Sequence, residues 1–266
     1  MILANAPSAA LLLGTAAVGA YALPAVFASR LSGKTARVSL WFAWTMHGAM
    51  LALGLLLAAP RFGFAPALSV TAWLVLTVYA IERQRFPQLQ ARWALAGLGA
   101  LAVLLAMAFP GQTLPTRASA WLPLHLALGI AAYGLFAAAV VHAALMARAE
   151  KRLRLAVDAN SGMPLLTLER LTFRFVAAGF VLLTGTLIAG IFFSETLYGR
   201  AFHWDHKAVF SVLSWLTFAA LLLGRVRFGW RGRSAMVMLY AGAALLFLAY
   251  VGSRFALEVV LGRAAS

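Results

Sequence analysis

The chain has 266 residues, of which 64% are hydrophobic and only 11% are charged. A soluble globular domain carries roughly 25% charged and 45–50% apolar residues, so this composition excludes an ordinary soluble protein. The formal net charge of +15 would suggest a nucleic-acid partner if the basic residues formed one patch. Cysteine is absent, which excludes disulfides, thiolate metal sites and thioether attachment of a cofactor.

The apolar residues fall in eight blocks, and crossing a bilayer as a helix takes about 20 residues. The blocks run approximately over 8–29, 38–59, 65–82, 93–109, 121–147, 172–194, 206–224 and 234–257. The first has no Lys or Arg before Arg30, so we expect a retained spanning helix and not a cleaved signal peptide. We therefore expect an all-α, polytopic membrane helix bundle of about eight transmembrane helices, forming a single membrane domain over residues 1–266.

The distribution of basic residues predicts the orientation. Sixteen of the 22 Lys and Arg residues fall in four alternate connections between the blocks. By the positive-inside rule these connections face the cytoplasm, and both termini lie outside. The positive charge is thus a topology signal. We expect the lipid bilayer as the main partner, and no nucleic acid.

The longest connection, approximately 148–171, contains the segment SGMPLLTLERLTFR. Its Gly-Met-Pro indicates a turn. The mixture of apolar and charged residues that follows predicts a short amphipathic helix lying at the membrane surface.

Three of the five histidines gather at the external face on this topology. His125 lies at the outer end of the fifth block and His206 at the outer end of the seventh, with His203 just before it. His47 lies about 14 Å of helical rise from the inner end of the second block, near mid-bilayer, where ligand and packing roles are equally open. His142 lies near the basic inner end of the fifth block, where an interfacial side chain is the simpler interpretation.

The external histidines suggest a cofactor site. If the fifth and seventh helices are neighbours, His125 and His206 could bind one iron from opposite sides. Trp121 and Trp204 would then stack on a flat macrocycle, and Asp205 would orient an imidazole. The simpler interpretation is an aromatic belt at the membrane interface, with Asp205 as a helix N-cap.

The sequence gives little support for catalysis or for transport. No phosphate loop, nucleophile elbow or metalloprotease motif occurs, and we expect no enzymatic activity. A transporter is disfavoured because the carboxylates lie mostly at helix ends and no inverted repeat is evident. Gly185, Ala189 and Gly190 are small residues in the sixth block, and they predict close helix approach there.

Four segments, taken in order, carry a family resemblance. They are LHLALGIAAYGLFAAAVVHAALM, MPLLTLERLTFRFVAAGFVLLTGTLIAGIFFSE, HWDHKAVFSVLSWLTFAALLLGRVRFGWRGR and LAYVGSRF. Together they resemble the cytochrome c assembly protein family of haem-handling membrane proteins, and within it a branch of bacterial inner-membrane proteins. The resemblance implies non-covalent haem binding or relay at the external face, and cytochrome-assembly or other membrane proteins as partners.

The resemblance also implies roles for particular residues. A histidine opening the helix that matches LHLALGIAAYG is an external axial ligand in the family, and it corresponds to His125. A tryptophan-rich external motif ending in Trp-Asp holds the macrocycle, and its end corresponds to Trp204 and Asp205. The chain departs from the family in the earlier tryptophans of that motif and in a later external histidine, which VGSRF lacks. His206 is our candidate to replace the missing ligand.

The departures keep a second function open. A cofactor-free membrane scaffold or regulatory protein would retain the fold and act through partner proteins at its basic cytoplasmic loops. The missing tryptophans favour this alternative.

Overall fold

The structure is a computed structural model that describes residues 6–27, 30–56, 61–85, 92–113, 122–155, 164–192, 194 and 203–261. These ranges contain eight long helices: α1 (Ala6–Val26), α2 (Gly33–Leu56), α3 (Phe64–Arg85), α4 (Arg92–Ala108), α5 (Leu122–Arg154), α6 (Leu165–Phe192), α7 (His206–Phe228) and α8 (Gly232–Phe247). Beyond α8 follow a π-helical segment (Leu248–Gly252), the short helix α9 (Ser253–Phe255) and a second π-helical segment (Ala256–Val260). A ribbon pairs β1 (Arg61–Phe62) antiparallel with β2 (Gln112–Thr113).

The predicted all-α polytopic membrane fold is confirmed. Within the described residues, six helical stretches are long and apolar enough to cross a membrane: Ser8–Val26, Phe64–Gln84, Leu124–Arg154, Leu165–Phe192, His206–Phe228 and Gly232–Val260. A shorter apolar helix covers Ala94–Ala108. Each predicted block coincides with one helix, although α5 continues to Arg154 instead of ending near residue 147.

The predicted surface helix in the fifth connection is wrong. Its residues form the first turns of α6, which continues without a break. Pro164 immediately precedes α6, and its carbonyl accepts a hydrogen bond from the backbone N–H of Leu168. The proline therefore starts the helix and does not separate two helices. The charge of Glu169 is tolerated there because its carboxylate pairs with Arg225.

The chain folds into two compact units. Unit 1 comprises Met1–Ile81, Leu89–Thr116 and Leu257–Ser266. Unit 2 comprises Glu82–Gln88 and Arg117–Ala256. Unit 1 thus holds α1, α2, α4, the ribbon and most of α3, and unit 2 holds α5 to α8.

In unit 1, aromatic stacking and buried hydrogen bonds hold α2 against α3. The rings of Trp44 and Trp73 stack with centroids 4.9 Å apart. The Trp44 indole donates to the Thr77 hydroxyl at 2.8 Å, and the Trp73 indole donates to the Trp44 carbonyl at 3.0 Å. Both large rings are therefore packed without leaving an indole N–H unsatisfied.

In unit 2, the core forms around one pair of stacked rings. Phe136 of α5 and Phe218 of α7 lie with centroids 3.8 Å apart and planes 6° apart, and both are almost fully buried. Gly179 of α6 faces the ring of Phe136, and Gly242 of α8 faces the ring of Phe218. Because these glycines have no side chain, α6 and α8 approach the ring pair closely.

Candidate functional site

Helix α5 runs antiparallel to α6. Near the start of α5, Leu128 faces Gly185 of α6. Eight residues further along α5, Phe136 faces Gly179 of α6. Residues later in α5 thus contact residues earlier in α6. The start of α5 therefore lies beside the C-terminal turns of α6.

Helix α7 also runs antiparallel to α6. The Trp215 indole donates to the Thr184 hydroxyl at 2.8 Å, and further along α7 the Arg225 guanidinium lies 2.5 Å from the Glu169 carboxylate. The start of α7 therefore lies at the same end of unit 2 as the start of α5.

The stacked phenylalanines relate the depths of His125 and His206, the two histidines predicted to lie at the external face. His125 precedes Phe136 by 11 residues and His206 precedes Phe218 by 12 residues. At the α-helical rise these separations correspond to about 16 Å and about 18 Å along parallel helices. His125 and His206 thus begin at nearly the same depth, on two helices that contact each other through the ring pair.

The His125 imidazole lies half-buried against α6. The backbone of Thr186 lies beside it. A Cβ added at Gly190 would lie 3.5 Å from its Cε1 atom. The predicted small residues of α6 therefore do bring α5 close, and they leave one side of the imidazole without a bulky neighbour on α6.

The segment before α7 is largely exposed. Trp204 is 69% exposed, and His203 and His206 are exposed as well. Asp205 is the N-cap of α7, because its Oδ1 accepts a hydrogen bond of 2.9 Å from the backbone N–H of Ala208. The capping interpretation is thus confirmed, while orientation of an imidazole by Asp205 stays a prediction.

The structure does not add the two remaining predicted residues, Trp121 and His47, to this site. Trp121 lies outside the described residues. His47 belongs to unit 1 and is 0% exposed. Its Nε2 lies 2.8 Å from the Ser69 hydroxyl and its Nδ1 lies 3.4 Å from the Tyr21 hydroxyl. Both ring nitrogens of His47 are therefore already bonded to hydroxyl groups.

The expected position of His142 near the inner end of its helix did not indicate that protein covers the side chain. The residue is 3% exposed, and its Nε2 lies 2.8 Å from a carboxylate oxygen of Glu82, which is itself 8% exposed. Distance from a helix end indicates depth, but it does not show which side of the helix is covered by protein. Glu82 near the end of an apolar block was the available signal, and nothing in the sequence pairs it with His142.

A second carboxylate in an ion pair, that of the partly buried Glu169, was also missed. Glu169 Oε1 lies 2.5 Å from Arg225 Nη1 and 3.5 Å from Arg231 Nε. Arg225 in turn lies over the ring of Phe173, 4.4 Å from its centroid, and donates to the Trp230 carbonyl at 3.1 Å. This cluster joins α6 to the turn between α7 and α8, at the end of unit 2 opposite to His125.

The helices and their apolar surfaces define a polytopic α-helical membrane protein. The chain belongs to the Cytochrome C assembly protein family, which it matches over residues 8–261. This match confirms the resemblance found in the sequence.

Curated relatives match parts of the chain. The inner membrane protein YpjD of Escherichia coli (strain K12) is 36% identical over 138 residues, which is 51% of this chain and 52% of that protein. The cytochrome c biogenesis protein CcsA of Synechocystis is 34% identical over 86 residues, or 32% of this chain and 26% of that protein. CcsA of Gloeothece citriformis matches equally. The aligned region thus spans about half, or less, of these relatives. No solved structure matches the chain.

Proposed function

We propose that this protein binds haem non-covalently at the external face of the bacterial inner membrane and holds or relays it during cytochrome c assembly. Membership of the Cytochrome C assembly protein family supports the process. The relatives named inner membrane protein and cytochrome c biogenesis protein support the location and the pathway step. Because the chain has no cysteine, haem would be held by ligation and not by a thioether bond to this chain.

The observation that carries the proposal is the shared depth of His125 and His206 on contacting helices. A porphyrin supplies the equatorial nitrogens of its iron, so the protein has to supply only axial ligands, for which imidazole is a common choice. Two imidazoles at one depth on neighbouring helices suit this task. His125 and His206 are the proposed axial ligands.

The surroundings of His125 support a flat ligand. Gly190 presents no side chain beside the imidazole. Trp204 offers an exposed indole for stacking at the start of α7, and Trp121 is the second proposed stacking residue. Asp205 uses one carboxylate oxygen to cap α7, and its other oxygen is the proposed acceptor for an imidazole N–H.

His47 is proposed as an intramembrane ligand or entry point for haem. To bind iron, its ring would have to release the hydroxyl of Ser69 or of Tyr21. Binding at His47 therefore costs a buried hydrogen bond, and His47 is the weaker ligand of the three histidines.

The alternative is a cofactor-free scaffold that acts through partners at its basic cytoplasmic loops. It is favoured by the capping role of Asp205 and by the exposure of Trp204, because both residues are accounted for without a cofactor. Co-purification of a partner protein without any chromophore would support this function.

The visible spectrum of the protein tests the proposal. The protein is purified in mild detergent from haem-replete cells, together with His125→Ala, His206→Ala and the matched control His203→Ala. We expect a Soret band that weakens or shifts in the first two variants and is unchanged in the control. Absence of the band in the unmodified protein, even after haem is added, would contradict haem binding.

A further inference from the structure

A second ionisable site lies inside unit 2, away from the proposed haem site. His142 Nε2 lies 2.8 Å from Glu82 Oε2, and the ring of Phe175 covers the imidazole with centroids 5.2 Å apart. Both members lie in helices apolar enough to span a membrane. Along α5, His142 is 17 residues from His125, which is about 25 Å.

The hydrogen bonds fix where the protons lie. His142 Nδ1 lies 2.8 Å from the backbone carbonyl of Ala138. A carbonyl only accepts, so Nδ1 must carry a proton. Nε2 lies 2.8 Å from the Glu82 oxygen, and at that distance a bare carboxylate and the lone pair of a neutral imidazole would repel each other, so the pair is favoured when it holds one further proton. That proton belongs either to an imidazolium facing a carboxylate or to a carboxylic acid facing a neutral imidazole.

Only one proton in this contact leaves the pair without net charge. Without it, a carboxylate would face the lone pair of Nε2; with a second, an imidazolium would face a neutral acid. Either state places an uncompensated charge in an apolar environment, which is strongly unfavourable. Within the described residues, His142 is the one ion-pair partner of the Glu82 carboxylate, and neither carboxylate oxygen has a hydrogen bond of good geometry. The charge on either side chain of the pair can therefore be balanced only by the other side chain.

We propose that Glu82 and His142 together form a proton-binding site that holds one proton and exchanges it with the cytoplasmic side. Glu82 lies three residues before the last residue of α3, less than one helical turn from the end that the basic connections assign to the cytoplasm. That short distance provides the route for exchange. The site requires no haem.

The contributing helices carry both cations and carboxylates, and the carboxylates other than Glu82 are each paired: Glu150 with Arg154 and Glu169 with Arg225. Arg83 follows Glu82 on α3 and is half-buried. Arg148 on α5 and Arg174 on α6 are exposed.

The competing interpretation is a structural clamp, in which only the hydrogen bond between the two side chains matters. Glu82→Gln separates the two, because the amide N–H can donate to Nε2 but cannot give up a proton. A clamp is preserved by this substitution, and a proton-binding site is abolished. Glu150→Gln is the matched control, since Glu150 is exposed and pairs with Arg154.

The experiment compares infrared spectra of the haem-free, full-length protein in H2O and D2O. We expect an isotope-sensitive signal of the shared proton that is present in the unmodified protein and in Glu150→Gln and is lost in Glu82→Gln. Spectra that show no difference between the unmodified protein and Glu82→Gln would overturn the proposal.

A second measurement covers the case in which Glu82→Gln does not fold. In the unmodified protein labelled with ¹⁵N-histidine, the nitrogen resonances of His142 should show a protonated Nδ1, and the proton at Nε2 should exchange with solvent. An Nδ1 without a proton, or an Nε2 contact that does not exchange, would overturn the proposal. Neither result bears on haem binding at His125 and His206.

Discussion

Each unit buries one histidine, and the two differ in the partners that make burial tolerable. In unit 1, His47 is hydrogen-bonded to the hydroxyls of Ser69 and Tyr21. In unit 2, His142 faces the carboxylate of Glu82. Hydroxyls donate and accept, so His47 satisfies both nitrogens while it stays neutral. His142 instead faces a second ionisable group, with which it forms the proposed proton-binding site.

The largest effect is expected from His142→Leu, which leaves the Glu82 carboxylate buried without its partner. We expect the free energy of unfolding to fall by about 3–5 kcal/mol. Unfolding in detergent followed by circular dichroism measures it. Most of the loss should be recovered when Glu82→Leu is added, because no buried charge then remains. A double variant as unstable as the single one would contradict this account.

His47→Leu should have a smaller effect. It leaves two neutral hydroxyls without a partner, and we expect a loss of about 1–3 kcal/mol in the same unfolding assay. Ser69→Ala removes only one of these bonds and should cost less than His47→Leu. If His47→Leu destabilises the protein as much as His142→Leu does, the distinction between the two units is wrong.

A third kind of polar contact lies at the start of α7. Asp205→Ala removes the N-cap and should lower the free energy of unfolding by about 1 kcal/mol. Asp205→Asn should retain stability, because asparagine caps as well as aspartate. If Asp205→Asn nevertheless shifts the Soret band, the carboxylate has a role toward haem beyond capping. Equal destabilisation by both substitutions would show that capping is not the contribution.

The smallest effect is expected from Glu150→Gln. The exposed carboxylate lies 2.5 Å from the Arg154 guanidinium one helical turn away. Such pairs contribute about 0.3–0.5 kcal/mol, and salt weakens them further. Unfolding at low and high salt should therefore give nearly equal stabilities for this variant and the unmodified protein. A loss above about 1 kcal/mol would mean that exposure is a poor guide to the difference between Glu150 and Glu82.

The helices could be predicted because membrane crossing is a local property of the sequence. Each apolar block coincides with a helix, and the family resemblance lies in contiguous segments. The prediction of an amphipathic surface helix was wrong because it depended on a contact between residues far apart in the sequence. Glu169 suggests an exposed polar face until its partner Arg225, more than fifty residues away, is known to lie beside it.

The candidate site could be predicted only in part for the same reason. The outer-end positions of His125 and His206 follow from topology, but their shared depth follows from the stacking of Phe136 on Phe218, which no periodicity reveals. His142 lies on a helix that is apolar on all sides over much of its length. The sequence therefore does not show which face of α5 meets Glu82.

The last helical stretch changes its repeat. Buried residues follow an α-helical spacing along α8 and a closer spacing beyond it: Ala235, Leu239, Gly242 and Leu246, then Ala249, Val251 and Ser253. A π-helical turn holds about one residue more than an α-helical turn. Deleting one residue from Leu248–Gly252 would rotate Ser253 by about 100° relative to α8 and turn it away from the buried side of the helix. The wide turn thus decides which residues at the end of this helical stretch are covered by protein.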